Sequence, residues 1–282
     1  MAQSITTASQ EEVTILQPSR GWTSLNLRDL WLYRELVYFL TWRDIKVRYK
    51  QTVLGAGWAI IQPLINMVVL SVIFGNLAEL STEGIPRPIF TFAALLPWGL
   101  FSKALSDAGR SMLANRSMIT KVYFPRLIIP LSSVLGGVVD FLIQFLILIA
   151  MMAYYGYAPT VEILTLPLFL LLAVVTALGF GLWLSALNVL YRDVGYILPF
   201  LTQIWLLITP VAYSISEVPA RWQLIYALNP MVGVVEGFRW ALLGASTAPG
   251  LRLLVSTGIS LLLLVSGVYY FRRMERTFAD MV

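Results

Sequence analysis

Reactive side chains are scarce in the apolar parts of this sequence, and the acid that stands deepest in an apolar block is Asp140. Gln144 follows four residues later, which places both side chains on one face of a helix. A carboxyl group inside a membrane is costly, so it must face protein or a water-filled cavity. Asp140 and Gln144 therefore have two interpretations: they line a channel, or they hold helices together through buried hydrogen bonds.

One acid with one amide is a thin basis for catalysis, because glycosyl transfer and hydrolysis need convergent carboxylates or a metal site. The chain contains neither Cys nor His, which excludes disulfides, thiol catalysis and Cys/His zinc sites. The phosphate-binding pattern G-x-x-x-x-G-K-[ST] is also absent from the sequence. We therefore predict a protein that is not an enzyme, holds no metal or cofactor, and does not bind ATP by that route.

The elements that must position these residues are long apolar blocks. Hydrophobic residues make up 58% of the 282 residues and charged residues only 12%, whereas soluble domains are about a quarter charged. Crossing a ~30 Å hydrocarbon layer takes about 20 apolar residues. We predict an all-α integral membrane protein with six transmembrane helices, at residues 54–77, 89–105, 127–155, 163–190, 194–213 and 253–271.

The chain divides into three parts. Residues 1–26 are polar and lack the basic start and apolar core of a signal peptide, which predicts a flexible leader. Residues 27–50 form an amphipathic segment, and residues 51–282 form the six-span membrane domain.

A basic amphipathic helix is predicted ahead of the first span. Leu32, Leu36 and Leu40 recur at helical spacing, and cations occupy the other side. Such a helix, flanked by Trp and Tyr, is typical of the membrane interface. A soluble helix packed on a partner protein is the alternative. The candidate interfacial residues are Trp31, Arg34, Trp42, Arg43, Lys46, Arg48 and Tyr49.

Two short apolar stretches, residues 222–228 and 231–243, lie between the fifth and sixth predicted spans. Asn229 and Pro230 separate them, and the second stretch carries Glu236 and Arg239. Neither is long enough to cross the membrane comfortably, so we predict a pair of re-entrant half-helices on the external side. One poorly formed seventh span is the alternative.

Basic residues predict the orientation, because cytosolic loops carry an excess of Lys and Arg. With the N-terminus in the cytosol, sixteen of the 20 basic residues fall on the cytosolic side. The other four, Arg87, Arg221, Arg239 and Arg252, fall outside. An even number of spans then places both termini in the cytosol.

Two cytosolic connections contain candidate contact residues. Residues 106–126 mix cations with apolar side chains and end in KVYFPR, where Pro125 favours an extended Phe124 followed by a new helix. This connection is either a passive linker or a docking surface for another protein. In the short second loop, Arg192 and Asp193 either cap a helix or contact a partner.

Several strings carry a resemblance to a known family. They are FLTWRDIKVRYKQTVLGAGWAIIQPL at residues 39–64, KVYFPR at 121–126, YRDVGYILPF at 191–200, TPVAYS at 209–214 and LNPMVGVVEGFRWALLG at 228–244. In their order and spacing, the strings resemble the membrane permeases of type-2 ABC exporters of polysaccharides. That branch includes the Wzm proteins for O-antigen, the TagG proteins for teichoic acid and the KpsM proteins for capsule.

The resemblance implies a homodimer whose facing helices enclose a channel. Two copies of an ABC ATPase subunit would dock beneath it, and ATP and Mg would bind to that partner. The stretch around Asn229 and Pro230 would cap the channel. The ATPase-coupling segment would comprise Asn115, Arg116, Lys121, Tyr123, Phe124, Pro125 and Arg126.

The implied cargo is an O-antigen-like glycan on an undecaprenyl lipid, and the implied location is the bacterial cytoplasmic (inner) membrane, as part of lipopolysaccharide biosynthesis. Membrane lipids are expected as partners, and nucleic acid is not. Teichoic acid, a capsule glycan, and a small lipid or drug are alternative cargoes. A membrane-embedded transferase acting on lipid-linked sugars is a further alternative, which the lack of paired acids disfavours.

Overall fold

The computed structural model describes residues 27–50, 55–244 and 250–278, and every regular element within these ranges is helical. The predicted leader, residues 1–26, lies outside the described residues. In chain order the helices are α1 (Leu27–Leu32), α2 (Arg34–Lys50), α3 (Gly55–Val72, continued by a π-helical turn at Ile73–Leu77), α4 (Arg87–Ala114), α5 (Arg116–Lys121), α6 (Ile128–Tyr155), α7 (Leu166–Leu190), α8 (Val194–Ile208), α9 (Ala220–Tyr226), α10 (Pro230–Leu243) and α11 (Gly250–Met274).

Five helices in the described ranges are long and apolar enough to cross a membrane: α3, α4, α6, α7 and α11. They correspond to the first, second, third, fourth and sixth predicted spans, and the all-α prediction is confirmed for the described residues. The fifth predicted span is α8, which has 15 residues. At 1.5 Å per residue it is about 22 Å long. The helix ends at Ile208 because Pro210 disfavours the helical conformation at Thr209, which is extended.

Helix α4 is longer than predicted. The sequence interpretation ended this span at residue 105, between Lys103 and Asp107, but the helix continues to Ala114. Lys103 and Asp107 belong to its middle and later turns, and both have oppositely charged partners. Ion pairs with Arg48 and Asp140, which are distant in sequence, therefore stabilise α4 where it passes through a polar stretch.

The main core surrounds α4. Ala93, Ala94, Ala104 and Ala108 are fully buried on it, and α6, α7 and α10 contribute the larger side chains around them. Small residues let helix backbones approach closely in membrane proteins. Helices α7 and α11 meet in this way at Gly179, where an added Cβ would lie 2.7 Å from a backbone nitrogen of α11.

A second hydrophobic cluster lies where α4 ends and α6 begins. It joins Leu40 of α2, Ile119 of α5, Phe124 before α6, and Phe271 and Phe278 at the end of the described chain. All five side chains are buried. The cluster therefore packs four separate parts of the chain together at one end of the bundle.

Helices α9 and α10 are two separate elements, and the break falls where it was predicted. Asn229 precedes α10, and its side chain accepts a hydrogen bond from the backbone N–H of Met231. Pro230 occupies the first turn, where its missing N–H costs nothing. Helix α9 has 7 residues and α10 has 14, so the stretch is not one continuous span.

Candidate functional site

Helix α2 runs alongside the bundle instead of crossing it. Thr41 donates a hydrogen bond to the carbonyl of Ser132 (3.4 Å), and two turns later Arg48 donates to that of Gly136 (3.4 Å). The contacts advance along α2 and α6 in the same direction. The C-terminal half of α2 therefore follows α6 for about two turns.

A cation–acid cluster joins α2 to α4 and α6. It consists of Arg48, Lys103, Asp107 and Asp140, with Tyr49 beside it. Arg48 lies 2.7 Å from Asp140 and 3.0 Å from Asp107, and the Lys103 ammonium lies 3.6 Å from Asp140. The Tyr49 hydroxyl donates to the other oxygen of Asp140. Two cations and two anions make the cluster neutral, so neither acid is a free carboxylate for catalysis.

Asp140 is therefore a buried anchor that binds three side chains, which favours the helix-holding interpretation over a channel-lining one. Gln144 lies one turn further along α6, half-buried beside Gly99 of α4. Burial, together with the hydrogen bond to Asp140, raises the pKa of Tyr49 to about 12, so the hydroxyl stays a donor at neutral pH.

The interfacial residues of α2 differ in what they contact. Arg43 donates to the side chain of Asn115 (2.8 Å), and Arg48 and Tyr49 enter the cation–acid cluster. Trp42 and Lys46 are exposed, with the ammonium 5.4 Å from the indole ring centroid. A groove of about 330 Å³ runs beside them, lined by Phe39, Trp42, Arg43, Lys46, Val47 and Lys50.

The start of α2 is more exposed. Trp31 is exposed on α1, and the guanidinium of Arg34 lies 5.5 Å from its ring centroid. Of the leucines that predicted the helix, Leu40 is fully buried and Leu36 packs on the second hydrophobic cluster, while Leu32 is exposed. The amphipathic pattern therefore identified the packed face from Leu36 onward.

The predicted coupling segment, residues 115–126, has an anchored side and an outward side. Asn115 is buried between α4 and α5, and Phe124 is buried in the second hydrophobic cluster. Arg116, Lys121 and Tyr123 are exposed. Alternation between buried and exposed side chains gives this turn a fixed surface that points away from the bundle.

Arg126 does not belong to that outward surface. Its backbone N–H donates to Glu275 (3.1 Å), and its guanidinium donates to the carbonyl oxygen of the same residue. Pro125, just before it, is half-buried. The sequence grouped Arg126 with Lys121 as a docking cation, and the structure separates the two.

The second predicted loop, residues 191–195, is fixed to the end of α4. Asn188 donates to the carbonyl of Gly109 (2.9 Å) and accepts from the backbone N–H of Gly195 (3.0 Å). Arg192 and Asp193 are exposed, and the described residues give Asp193 no capping hydrogen bond at the start of α8. The capping interpretation of Asp193 is therefore not supported, and both side chains stay available to a partner.

Arg239, which the sequence predicted on the external side of the membrane, has a side chain that is enclosed by protein. Its guanidinium donates to the carbonyls of Pro210 (2.7 Å), Val211 and Tyr213 (3.1 Å), just beyond α8. It also lies 3.6 Å from the ring centroid of Phe90. Burial lowers the pKa of Arg239 to about 9, so it stays charged at neutral pH.

Three further contacts hold the α8–α10 region. Asn229 accepts from the indole N–H of Trp205 and donates to Thr209, both at 2.9 Å, which ties the start of α10 to the end of α8. Glu236 lies 3.2 Å from Arg252 of α11. The four predicted cap residues, Asn229, Pro230, Glu236 and Arg239, thus belong to one connected region.

Sequence reasoning missed Lys103, Asp107 and Glu275. Lys103 and Asp107 form an i, i+4 pair on α4 that a longer predicted helix would have shown. Glu275 gave no signal in the sequence, because its partner Arg126 lies 149 positions away. In the part of the chain that the structure describes, no three acids come together as a metal site would require.

Comparison with known proteins supports the resemblance. A family model described as "ABC-2 type transporter" matches residues 35–243. The chain is 29% identical over 260 residues to the O-antigen export system permease protein RfbA of Myxococcus xanthus, which covers 91% of this chain and 98% of that protein. A protein of the same description from Klebsiella pneumoniae is 27% identical over 251 residues, covering 88% and 95%.

A third relative is the polysialic acid transport protein KpsM of Escherichia coli. It is 24% identical over 238 residues, covering 83% of this chain and 91% of that protein. The family model spans well over half of the chain. The five long apolar helices among the described residues agree with a multi-pass membrane protein. The chain therefore belongs to the ABC-2 type transporter family.

Proposed function

We propose that this chain is the permease of an ATP-driven exporter of a polysaccharide in the cytoplasmic membrane of a bacterium. Its family membership and its relatives, named for O-antigen export and polysialic acid transport, support this function. An O-antigen-like glycan on a lipid carrier is the proposed cargo. Teichoic acid, a capsule glycan, and a small lipid or drug remain the alternative cargoes.

A conduit for a glycan requires a second copy of the chain. In the single chain α4 fills the centre of the bundle, and 78% of the residues in its most apolar stretch are buried. Helices α3 and α8, by contrast, carry many exposed apolar side chains, among them Trp58, Ile65, Phe200 and Leu207. We place the homodimer contact and the channel along these two helices, with α8 as the fifth of six spans and α9–α10 as the external re-entrant pair.

The outward surface of the coupling segment is the observation that carries the energy-coupling part of the proposal. Lys121, Val122 and Tyr123 form an exposed ridge, while Ile119 and Phe124 on either side are buried. A fixed ridge with an aromatic tip fits a cleft on another protein. One ATPase subunit, holding ATP and Mg, would dock on each copy of the chain.

Co-purification with the ATPase and ATP-dependent export together test this function. We expect Tyr123→Ala to weaken ATPase binding, because it removes a side chain that is 74% exposed on the ridge. Tyr154→Ala is the matched control: this tyrosine is 84% exposed, at the opposite end of α6. Equal loss of ATPase binding in both variants would contradict the proposed docking surface.

Cargo and orientation need separate measurements. Cells that lack the permease should accumulate the lipid-linked glycan on the cytosolic side of the inner membrane, and no accumulation would favour another cargo. The chain has no Cys, so a single introduced cysteine reports sidedness. We expect Lys121→Cys to react only from the cytosol and Tyr154→Cys only from outside, with both termini cytosolic.

A further inference from the structure

The end of the coupling segment is hydrogen-bonded to Glu275, in the short helical turn that follows α11. A carboxylate oxygen of Glu275 accepts a hydrogen bond from the backbone N–H of Arg126 at 3.1 Å. The guanidinium of Arg126 donates in return to the carbonyl oxygen of Glu275. Two hydrogen bonds, both involving an ionised side chain, thus join the end of the coupling segment to the end of α11.

The surroundings reinforce this link. Arg272 binds the other carboxylate oxygen of Glu275 at 3.2 Å. The rings of Phe271 and Phe278 meet edge to face with centroids 5.2 Å apart, and both lie in the second hydrophobic cluster with Phe124. Polar and apolar contacts therefore fix the same two parts of the chain to each other.

The coupling segment and α6 are not one continuous helix. Helix α5 ends at Lys121, and Val122 is extended. Pro125 and Arg126 already accept backbone hydrogen bonds from Ile128 (3.1 Å) and Ile129 (3.2 Å) at the start of α6. The residues between Lys121 and Pro125 form no regular structure, so their direction depends on side-chain contacts. The Arg126–Glu275 contact lies at the end of this stretch and supplies such a constraint.

We infer that Arg126 and Glu275 are positioning residues that make the coupling segment and α11 move as one body during transport. The inference rests on the proposed function, since it concerns how a push from the ATPase reaches the membrane. Helix α11 packs against α7 at Gly179 and pairs with α10 through Arg252 and Glu236. Motion of the segment would therefore reach the proposed external cap through a single long helix.

A distance measurement tests the link without any ATPase. Thr120 and Arg273 are exposed, and the absence of cysteine allows spin labels at Thr120→Cys and Arg273→Cys of the full-length protein in nanodiscs. With the labelled chain diluted into an excess of unlabelled chain, so that a dimer carries one labelled copy, we expect one narrow distance distribution that Glu275→Ala broadens. Glu35→Ala, which removes an exposed acid from α2, should leave it narrow. A distribution equally broad with and without Glu275 would overturn the inference.

Export by the permease–ATPase complex tests the consequence. We expect Glu275→Ala to lower export per ATP hydrolysed by about tenfold or more while ATPase binding persists, because it removes a hydrogen bond that a carboxylate accepts. Combining it with Arg126→Ala should lower export further, because each single substitution removes one of the two hydrogen bonds and leaves the other in place. Arg126→Lys, which keeps a donor, should retain more export than Arg126→Ala.

The outcomes separate the link from the function on which it rests. A residue that only stabilises the fold would lower the yield of folded protein and leave export per ATP unchanged, which would overturn the inference. If Glu275→Ala does not fold, Glu275→Gln keeps the size and one acceptor oxygen and serves in both assays. A wild-type chain that binds no ATPase would refute the proposed function, while the distance measurement would still decide the link.

Discussion

Substituting Asp140 by Asn tests whether the cation–acid cluster holds α2 against α4 and α6. In the wild-type chain Arg48 and Lys103 balance Asp107 and Asp140. Asparagine keeps the shape of the side chain and can still accept a hydrogen bond from Tyr49. It removes one negative charge, so the cluster becomes singly positive.

The size of the effect follows from the distances and the exposure. Two unit charges about 4 Å apart interact by about 4 kcal/mol at an effective dielectric constant of about 20. Asp107 stays 3.0 Å from Arg48, and the side chains of Arg48 and Lys103 are 27% and 35% exposed. Partial compensation and solvent screening lower the expected loss to about 1–3 kcal/mol. Asp107→Asn should cost less, because its side chain is 36% exposed, against 9% for Asp140.

The assay is thermal unfolding in detergent, followed by the fluorescence of the nine Trp residues. We expect the midpoint to fall by several degrees in Asp140→Asn and by less in Asp107→Asn. Gln144→Leu, one turn further along the same helix, is the control and should unfold close to the wild type. An unchanged midpoint for Asp140→Asn, or a larger fall for Asp107→Asn, would refute the assigned role of the cluster.

Three further predictions concern other parts of the chain. Gly179→Ala should destabilise the fold by about 1–3 kcal/mol, because its Cβ would collide with the backbone of α11. Gly258→Ala, where nothing lies within 4 Å of the new Cβ, should unfold at or above the wild-type midpoint. Burial raises the pKa of Glu236 from 4.5 to about 7, against the opposing effect of neighbouring arginines. Between these values the folded state retains a proton that the unfolded state releases, so stability falls as pH rises through this window. Glu236→Gln should therefore gain stability relative to the wild type between pH 5 and pH 8, and a constant difference in midpoint would contradict the assignment. We expect added phosphatidylglycerol to raise the unfolding midpoint of the wild type, because the groove beside Lys46 and Lys50 is cationic and partly aromatic. Replacing both lysines by Glu should abolish this rise. An equal rise in the double variant would show that the lipid acts elsewhere.

Hydrophobic blocks predicted the long helices because a membrane span is recognisable from one continuous stretch of apolar residues. The third predicted span, residues 127–155, differs by one residue from α6, which is Ile128–Tyr155. The break before α10 was equally local, since Asn229 caps the helix and Pro230 begins it. Both features depend on residues within one or two turns of each other.

Pairings across the chain could not be predicted in this way. Arg48 meets Asp140 across 92 positions, and nothing near either residue identifies the other. The same limit hid the partners of Arg239, whose guanidinium donates to backbone carbonyls that follow α8. For the same reason the predicted second span stopped before α4 ends, because the sequence does not show that Arg48 pairs with Asp107.

The coupling segment is the place where these non-local contacts matter most. Its first residue, Asn115, accepts a hydrogen bond from Arg43 of α2, and its last, Arg126, binds Glu275 after α11. Helix α2 continues from there to the cation–acid cluster on α4 and α6 through Arg48. A force on the exposed ridge would therefore leave the segment by two routes, one along α2 toward the middle of α6 and one along α11 toward α10. Because the partners of Asp140 (Arg48, Tyr49, Lys103) and those of Glu275 (Arg126, Arg272) are different residues, Asp140→Asn and Glu275→Ala should impair export independently, and their effects on its free energy should add when the two are combined.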